Sequence, residues 1–466
     1  MTDAATTAGP SVELVSHASL LVQAEGMGLL SDPWLQGTVF GGSWRLLRTP
    51  DLADDLWERV NRLWISHSHP DHYHVASLLS IPERTRARLP VLLTARQGSD
   101  TLARGLRELG FGQVEHLPAG GWHRLGEGVE LFSAPFDLAD RDDQGDSFLF
   151  VRAGGTVILN LNDCVVRHPW QAREILRRAE LNRVDLLCTQ FSYGQWAGNP
   201  EDVEERAAKA QRKLDRMAMQ ANAFRADAVL PFASFYAFSH QENAYLNDEV
   251  VTPRQVTQRL NDATGTRPLV LYPGERWRLG DPWDSTRSAD RWQRHYDAAR
   301  EPLSAPSPAG ARSAPQEQVL AAARRWNQNL AATTGAPLLG LLRATGLLPG
   351  IGIQLTDHRT ALRLVPGHDV RLTPHSSRVD VRMTSQAALR CFASPFGPEE
   401  IRFGGRLRSG TGDVARFMRL ATTTGLLASR PSGLISSEIR RLIARWTARS
   451  RDLPARRASR HRDRVN

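Results

Sequence analysis

The sequence predicts a mixed α/β fold in which sheets are covered by helices. Three observations point there. Short apolar strands alternate with helical stretches through the first half of the chain. The opening elements form an antiparallel meander. The composition is that of a globular protein, with 41% hydrophobic and 23% charged residues. A length of 466 residues exceeds one ordinary core and implies two or three domains.

In chain order, residues 12–15, 19–22 and 28–30 read as strands of the meander, broken at Ala24-Glu25-Gly26 and ended by Asp32-Pro33. Residues 62–66 and 90–94 are apolar runs of strand length, and 99–109 is a helix with Leu102, Leu106 and Leu109 on one face. Strands follow at 129–133, 147–151 and 156–161, then a helix at 171–181, a strand at 184–189, a long charged helix at 201–222 and a strand at 228–231. From 301 to 318 the composition shifts to Pro, Ser and Ala, the signature of a linker or mobile loop. Beyond it, helical periodicity at 319–333 and 412–426 and strand patterns at 352–355, 361–365, 379–383 and 401–407 predict a compact extension. The division is therefore a domain at 1–300, a linker at 301–318, a smaller α/β extension at 319–439 and an Arg-rich tail at 440–466, expected to be disordered.

Several classes are excluded. The longest apolar run, 338–353, is broken by Arg343, so no membrane span is expected. Residues 1–15 lack the basic start and apolar stretch of a secretory leader. Cys164, Cys188 and Cys391 lie far apart and form no CxxC, which argues against a disulfide framework or thiolate zinc finger and for a reducing cytoplasm. The net charge of +9 is concentrated after residue 439, where ten arginines face Asp452 and Asp463. The body is nearly neutral and carries no electrostatic footprint for nucleic acid.

Chemistry is concentrated in Trp64-Ile65-Ser66-His67-Ser68-His69-Pro70-Asp71-His72-Tyr73-His74. An apolar strand ends and delivers four imidazoles and one carboxylate within eight residues, in a chain with only 14 histidines. His67 and His69, two residues apart, share one face of an extended backbone. After the Pro70 bend, Asp71 and His72 can address a second position nearby. Imidazole and carboxylate are ligands for zinc, iron or manganese, and adjacent clusters favour a two-metal site. His74 is read as a cap for the following helix.

His67-x-His69-x-Asp71-His72 resembles the HxHxDH signature of the metallo-β-lactamase fold superfamily. Over roughly residues 12–280 the neighbours agree: His17-Ala18-Ser19 and Ser31-Asp32-Pro33-Trp34-Leu35 resemble the entry of the branch holding ascorbate-6-phosphate lactonases, N-acyl-phosphatidylethanolamine phospholipase D and CMP-N-acetylneuraminate hydroxylase-like proteins. The resemblance implies an αββα sandwich and two divalent metal ions, zinc first, with iron or manganese as alternatives. It assigns His67, His69, Asp71 and His72 as ligands, Asp163 as the bridging carboxylate, and His240 to the second metal. Asp32 becomes the carboxylate that orients ligands; His17 and Tyr193 become pocket residues. One ligand departs from the pattern, because no His occurs between His123 and His168. Asp137 is the expected replacement and Asp146 the alternative. An acidic ligand there makes the site harder and shifts it toward iron or manganese.

The leading function is hydrolysis of an ester, lactone or phosphodiester in a small-molecule or lipid-like substrate, with Asp71 and Asp163 holding a metal-activated water. The alternative is a diiron oxygenase fed by a separate reductase. A full sialate hydroxylase is disfavoured, since a Rieske centre needs Cys-x-His pairs and none occurs. The third reading is a non-catalytic member that binds a ligand through an incomplete site. The extension is faintly similar to the C-terminal part of hydroxylase-like members and to sterol-carrier-like domains.

Overall fold

The computed structural model describes residues 9–95, 99–138, 146–301, 313–374 and 378–428. Most of the expected linker and the whole Arg-rich tail lie outside the described residues. The chain divides into two compact units. The first holds the residues up to Ser313 and takes back residues 400–409; the second holds the rest from Ala314. The break at 313 falls inside the Pro/Ser/Ala-rich stretch, whereas composition alone carries no sign of the return at 400–409.

The first unit is built on two seven-stranded sheets. One runs in the order Arg276–Arg278, Ser11–Leu14, Leu20–Ala24, Met27–Ser31, Arg62–Ile65, Val91–Thr94 and Val114–Leu117. Its meander strands pair antiparallel, as tight hairpin connections allow. From Met27–Ser31 onward the pairing is parallel, and intervening helices supply the crossovers. The other sheet starts with the antiparallel strands Trp122–Gly126, Val129–Pro135, Ser147–Ala153 and Thr156–Asn162. It continues with Leu186–Gln190, Ala228–Phe232 and Arg267–Pro268 in parallel. A small third sheet joins Thr38–Val39, Trp44–Leu46 and Tyr236–Phe238.

Side-chain alternation separates the layers. Leu20, Val22, Trp64 and Leu92 point into the core shared with the second sheet. Leu21, Leu63, Ile65 and Leu93 point the other way, onto Leu78, Leu102 and Leu106 of covering helices. The outer face of the second sheet is covered by Pro169–Arg178, through Ala172, Ile175 and Leu176, and by Val203–Ala223, through Ala210, Leu214 and Met217. Each such buried Leu or Ile contributes about 1.5–3 kcal/mol. Helix, sheet, sheet, helix is the expected αββα sandwich.

The second unit opens with the helices Gln316–Thr334 and Ala336–Ala344. Antiparallel strands Ile351–Leu355, Thr360–Leu364 and Val370–Pro374 follow, with Val381–Met383 parallel to the first of them. The helices Ser385–Cys391 and Val414–Ala428 complete its core. One expectation fails here. Residues 401–407 are not a strand; Ile401 to Gly404 are the end of the helix Gly397–Gly404. Apolar residues at alternate positions imitate a strand, but Pro398 suits a first helical turn and Gly404-Gly405 stops the helix, with Gly405 at φ +67°. Among the described residues, no helix is long and apolar enough to cross a membrane.

Candidate metal centre

The parallel strands of both sheets end on one side, and the chemistry is collected there, at the carboxyl ends where α/β sheets open crevices. Met27–Ser31 ends at Asp32, Arg62–Ile65 at Ser66 and His67, and Thr156–Asn162 at Asp163. His17 comes from the turn after the first strand, tied down by Ala233 N–H donating to its carbonyl at 2.9 Å.

Two groups of potential ligands result, His67/His69/Asp163 and His17/Asp71/His72, with the ligand atoms of each group within 4.8 Å of one another. In the first, His67 Nε2 lies 2.8 Å from His69 Nδ1. In the second, His17 Nε2 is 3.5 Å and His72 Nε2 3.3 Å from Asp71 Oδ2. Asp163 Oδ2 stands between the groups, 4.0 Å from His67 Nε2 and 3.4 Å from His72 Nε2.

Beneath both groups lies Asp32, fully buried, whose carboxylate accepts from Ser66 N at 2.8 Å, Ser66 Oγ at 2.7 Å and Asn162 Nδ2. It also holds His72 Nδ1 at 3.0 Å, and Ser66 Oγ in turn meets His67 Nδ1 at 2.8 Å. One carboxylate thus orients an imidazole of each group and leaves each Nε2 pointing at the site, the usual role of an outer carboxylate. Asp32 and Asn162 both have left-handed backbone, φ +37° and +50°, which Asp and Asn tolerate best and which costs on the order of 1–3 kcal/mol each.

The electrostatics are those of a packed ligand cluster. Burial pushes the Asp71 carboxyl up, but the His72 and His17 imidazoles beside it outweigh burial and hold it well below the carboxylate range. Burial pulls His72 down, yet the carboxylates of Asp71 and Asp163 dominate and raise it well above an ordinary imidazole. Asp71 Oδ1 and His72 Nε2 are buried without an aligned hydrogen bond. Such atoms gathered at one point are what a cation would satisfy, and the nitrogen and oxygen donors suit zinc, iron or manganese.

Of the two carboxylates expected as the acidic replacement, the structure brings Asp146 to the imidazoles and leaves Asp137 away from them. Asp146 is buried, with Oδ1 3.5 Å from His67 Nε2. Asp137 is exposed and pairs with Arg178 Nη1 at 2.7 Å on the surface. His240 lies outside both groups: its imidazole faces Glu242 at 3.3 Å, its backbone N–H donates to Asn243 Oδ1, and burial followed by the Arg406 charge lowers its pKa. His17, expected as a pocket residue, is instead the histidine grouped with Asp71 and His72. Tyr193 is buried beside the cleft, its hydroxyl donating to Leu246 O at 2.6 Å. His74 caps the helix Val75–Ser80, accepting from Ser77 N at 3.2 Å, as read from its position.

The groups open into a cleft of about 270 Å³. Its wall includes residues with no earlier signal. The Phe403 ring, from the returning segment, packs edge-to-face with the His69 ring, their centroids 5.2 Å apart, with Arg402 alongside. Arg167 and one side of the helix Val203–Ala223 complete the wall.

No family model matches the chain. A Mycobacterium tuberculosis protein named for a Rieske 2Fe-2S iron-sulfur centre is 28% identical over 260 residues, 53% of this chain and 48% of that one. Mouse cytidine monophosphate-N-acetylneuraminic acid hydroxylase is 22% identical over 294 residues, 59% of this chain and 48% of its own. The chain thus spans about half the length of the curated relatives it matches. Among solved structures, CmlA, a diiron β-hydroxylase from Streptomyces venezuelae, aligns over 59% of this chain and 55% of its own at 20% identity, with a TM-score of 0.42. Metallo-β-lactamase-fold proteins and metallo hydrolases are also among the structural neighbours.

Proposed function

We propose that the cleft is the active site of a two-metal oxygenase that hydroxylates a small molecule. The observation that carries this reading is the carboxylate of Asp146 at His67, where the signature has an imidazole. Exchanging a nitrogen donor for an anionic oxygen favours iron or manganese over zinc. In this reading His67, His69 and Asp146 would hold one metal and His17, Asp71 and His72 the other, with Asp163 placed near both groups. Bound irons would supply dioxygen binding and reduction, with two electrons from a separate reductase. The chain's own residues do the rest. Asp32 and Ser66 fix the imidazole orientations, and Phe403 limits water beside His69. The hydroxylase and Rieske names among the sequence relatives agree with redox chemistry.

Hydrolysis of an ester, lactone or phosphodiester is the second reading. It is favoured by Asp163 Oδ2 lying 4.0 Å from His67 Nε2 and 3.4 Å from His72 Nε2, between the two groups, where bound metals would supply an activated water.

Elemental analysis of the protein purified without added metal separates the two. About two irons per chain, with a visible band that changes on reduction, support the oxygenase. Two zinc ions with no iron uptake under anaerobic reconstitution would overturn it in favour of hydrolysis. Absence of metal after reconstitution would leave a ligand-binding protein.

A further inference from the structure

The imidazoles of the two groups are not held alike. His67 Nδ1 meets Ser66 Oγ at 2.8 Å, and His72 Nδ1 meets the Asp32 carboxylate at 3.0 Å. Those hydrogen bonds aim the opposite nitrogen of each ring at the site. His17 is 1% exposed, and among the described residues its Nδ1 meets no acceptor. Ala233 N donates to the His17 carbonyl and fixes its backbone, yet a fixed backbone still leaves the side-chain torsions to be set by something else.

Aromatic packing takes that place. Trp34 and Tyr236 both meet the His17 ring edge-to-face, at centroid distances of 5.3 and 5.7 Å and interplanar angles of 68° and 67°. Trp34 is tied down locally, its indole N–H donating to Gln36 O at 2.9 Å. Tyr236 is held from further away. In the small sheet Trp44 lies opposite Phe238 and diagonal to Tyr236, within reach of an aromatic ring. The Trp44 and Tyr236 rings stack at 3.8 Å and 11°, and Trp44 Nε1 donates to Phe403 O at 3.1 Å. Gly194 leaves the stack no slack, since a Cβ there would lie 2.9 Å from Trp44 Cη2. The Tyr236 hydroxyl donates to Tyr193 O, so His17 meets the ring rather than the hydroxyl.

We infer that Tyr236, clamped by Trp44, is the positioning residue of His17: its ring does for that imidazole what Asp32 does for His72. The inference rests on the metal centre proposed above and holds whether the chemistry there is oxygenation or hydrolysis. A ring held by packing turns when its neighbour shifts, without breaking a hydrogen bond. The hold of His17 on a metal therefore depends on apolar contacts, and removing them should weaken one metal while the other keeps its ligands. A buried aromatic stack by itself is ordinary core packing. Phe235, one position earlier in the chain, stacks on Trp292 at 4.1 Å and 12° and supplies the comparison.

The test is cobalt(II) titration of the full chain after chelator treatment, followed by the visible absorption of the bound ion and by chelator competition. Wild type should take about two cobalt ions per chain. Tyr236→Leu should bind one of them at least about tenfold more weakly, with a changed spectrum, and the other as before. Tyr236→Phe, the conservative change, keeps the ring and should rescue both affinity and spectrum. Phe235→Leu deletes a buried ring of the other stack and should leave both affinities unchanged, which separates positioning from lost stability. Should Tyr236→Leu melt early, Trp44→Leu reads the same effect with Tyr236 in place and should weaken the same ion. Wild-type affinity and spectrum in Tyr236→Leu and Trp44→Leu, or equal weakening by Phe235→Leu, overturns the inference and leaves the metal centre standing. A loss in Tyr236→Phe as large as in Tyr236→Leu assigns the effect to the hydroxyl and overturns it too. A wild-type chain that binds no cobalt overturns both the inference and the metal centre.

Discussion

Asp146 Oδ1 lies 3.5 Å from His67 Nε2, with both side chains buried. A carboxylate from the start of one strand thereby faces an imidazole from the end of another, across the two sheets. Asp146→Ala should reduce bound metal from about two per chain toward one. Asp146→His should restore the count but shift it toward zinc, because a softer nitrogen replaces a hard oxygen. Elemental analysis of both variants checks this, with Asp137→Ala as the contrast. That change breaks only an exposed ion pair, so metal content should hold and stability should move by no more than about 1 kcal/mol.

Asp32→Ala should be severe. It removes the acceptor of Ser66 N, Ser66 Oγ and Asn162 Nδ2 and the partner of His72 Nδ1 in a fully buried position. Losing one member of such a buried network costs about 3–5 kcal/mol. Asp32→Asn keeps an acceptor and should fold, while metal affinity falls roughly 10–100-fold as the imidazoles lose their orienting charge. Urea unfolding and chelator competition measure the two effects separately.

Metal removal should destabilise the first unit. At a free-metal concentration about a hundred times the dissociation constant, binding contributes about 2.7 kcal/mol to folding. Chelation should therefore lower the melting temperature, and added metal should restore it. A melting curve that ignores chelator would rule out a folded-state metal site.

His74 predicts a pH effect. Burial pulls its imidazole below the ordinary value, with the Thr38 backbone and the Asp71 charge opposing. The cap needs the neutral ring, since Nδ1 accepts from Ser77 N. A folded-state value below the unfolded one means full stability above about pH 6.5 and a loss as pH falls through the folded value. His74→Ala should cost about 1 kcal/mol at pH 7.5 and flatten that acid slope. Urea titrations at several pH values give both quantities.

The HxHxDH cluster was legible because a strand end packs its residues into a short stretch, where spacing alone puts them together. His17 and Asp146 were legible only as a pocket residue and as the second of two carboxylates, since each reaches the site through sheet pairing over long sequence separations. Choosing between Asp137 and Asp146 required the register of Val129–Pro135 against Ser147–Ala153, which carries Asp146 inward and leaves Asp137 beside Arg178. Most strands were readable as apolar runs. The helices Pro253–Ala263 and Thr286–Arg300 were overlooked, although Thr252 and Gln255 form a capping box with Pro253 in the first turn. Strand-like alternation at 401–407 misled because Gly404-Gly405, which ends a helix there, reads equally well as a strand boundary.

The return of residues 400–409 to the first unit has a consequence for biosynthesis. A ribosome releases the strands that carry the imidazole and carboxylate cluster long before Arg402 and Phe403 exist, so the cluster can assemble while one wall of its cleft is still missing. A nascent chain halted before residue 400 would expose His69 to water and to small thiols and metals of the surrounding medium. Closure of the cleft therefore comes after the strand ends that carry its imidazoles, an order imposed by the sequence in which the polypeptide emerges.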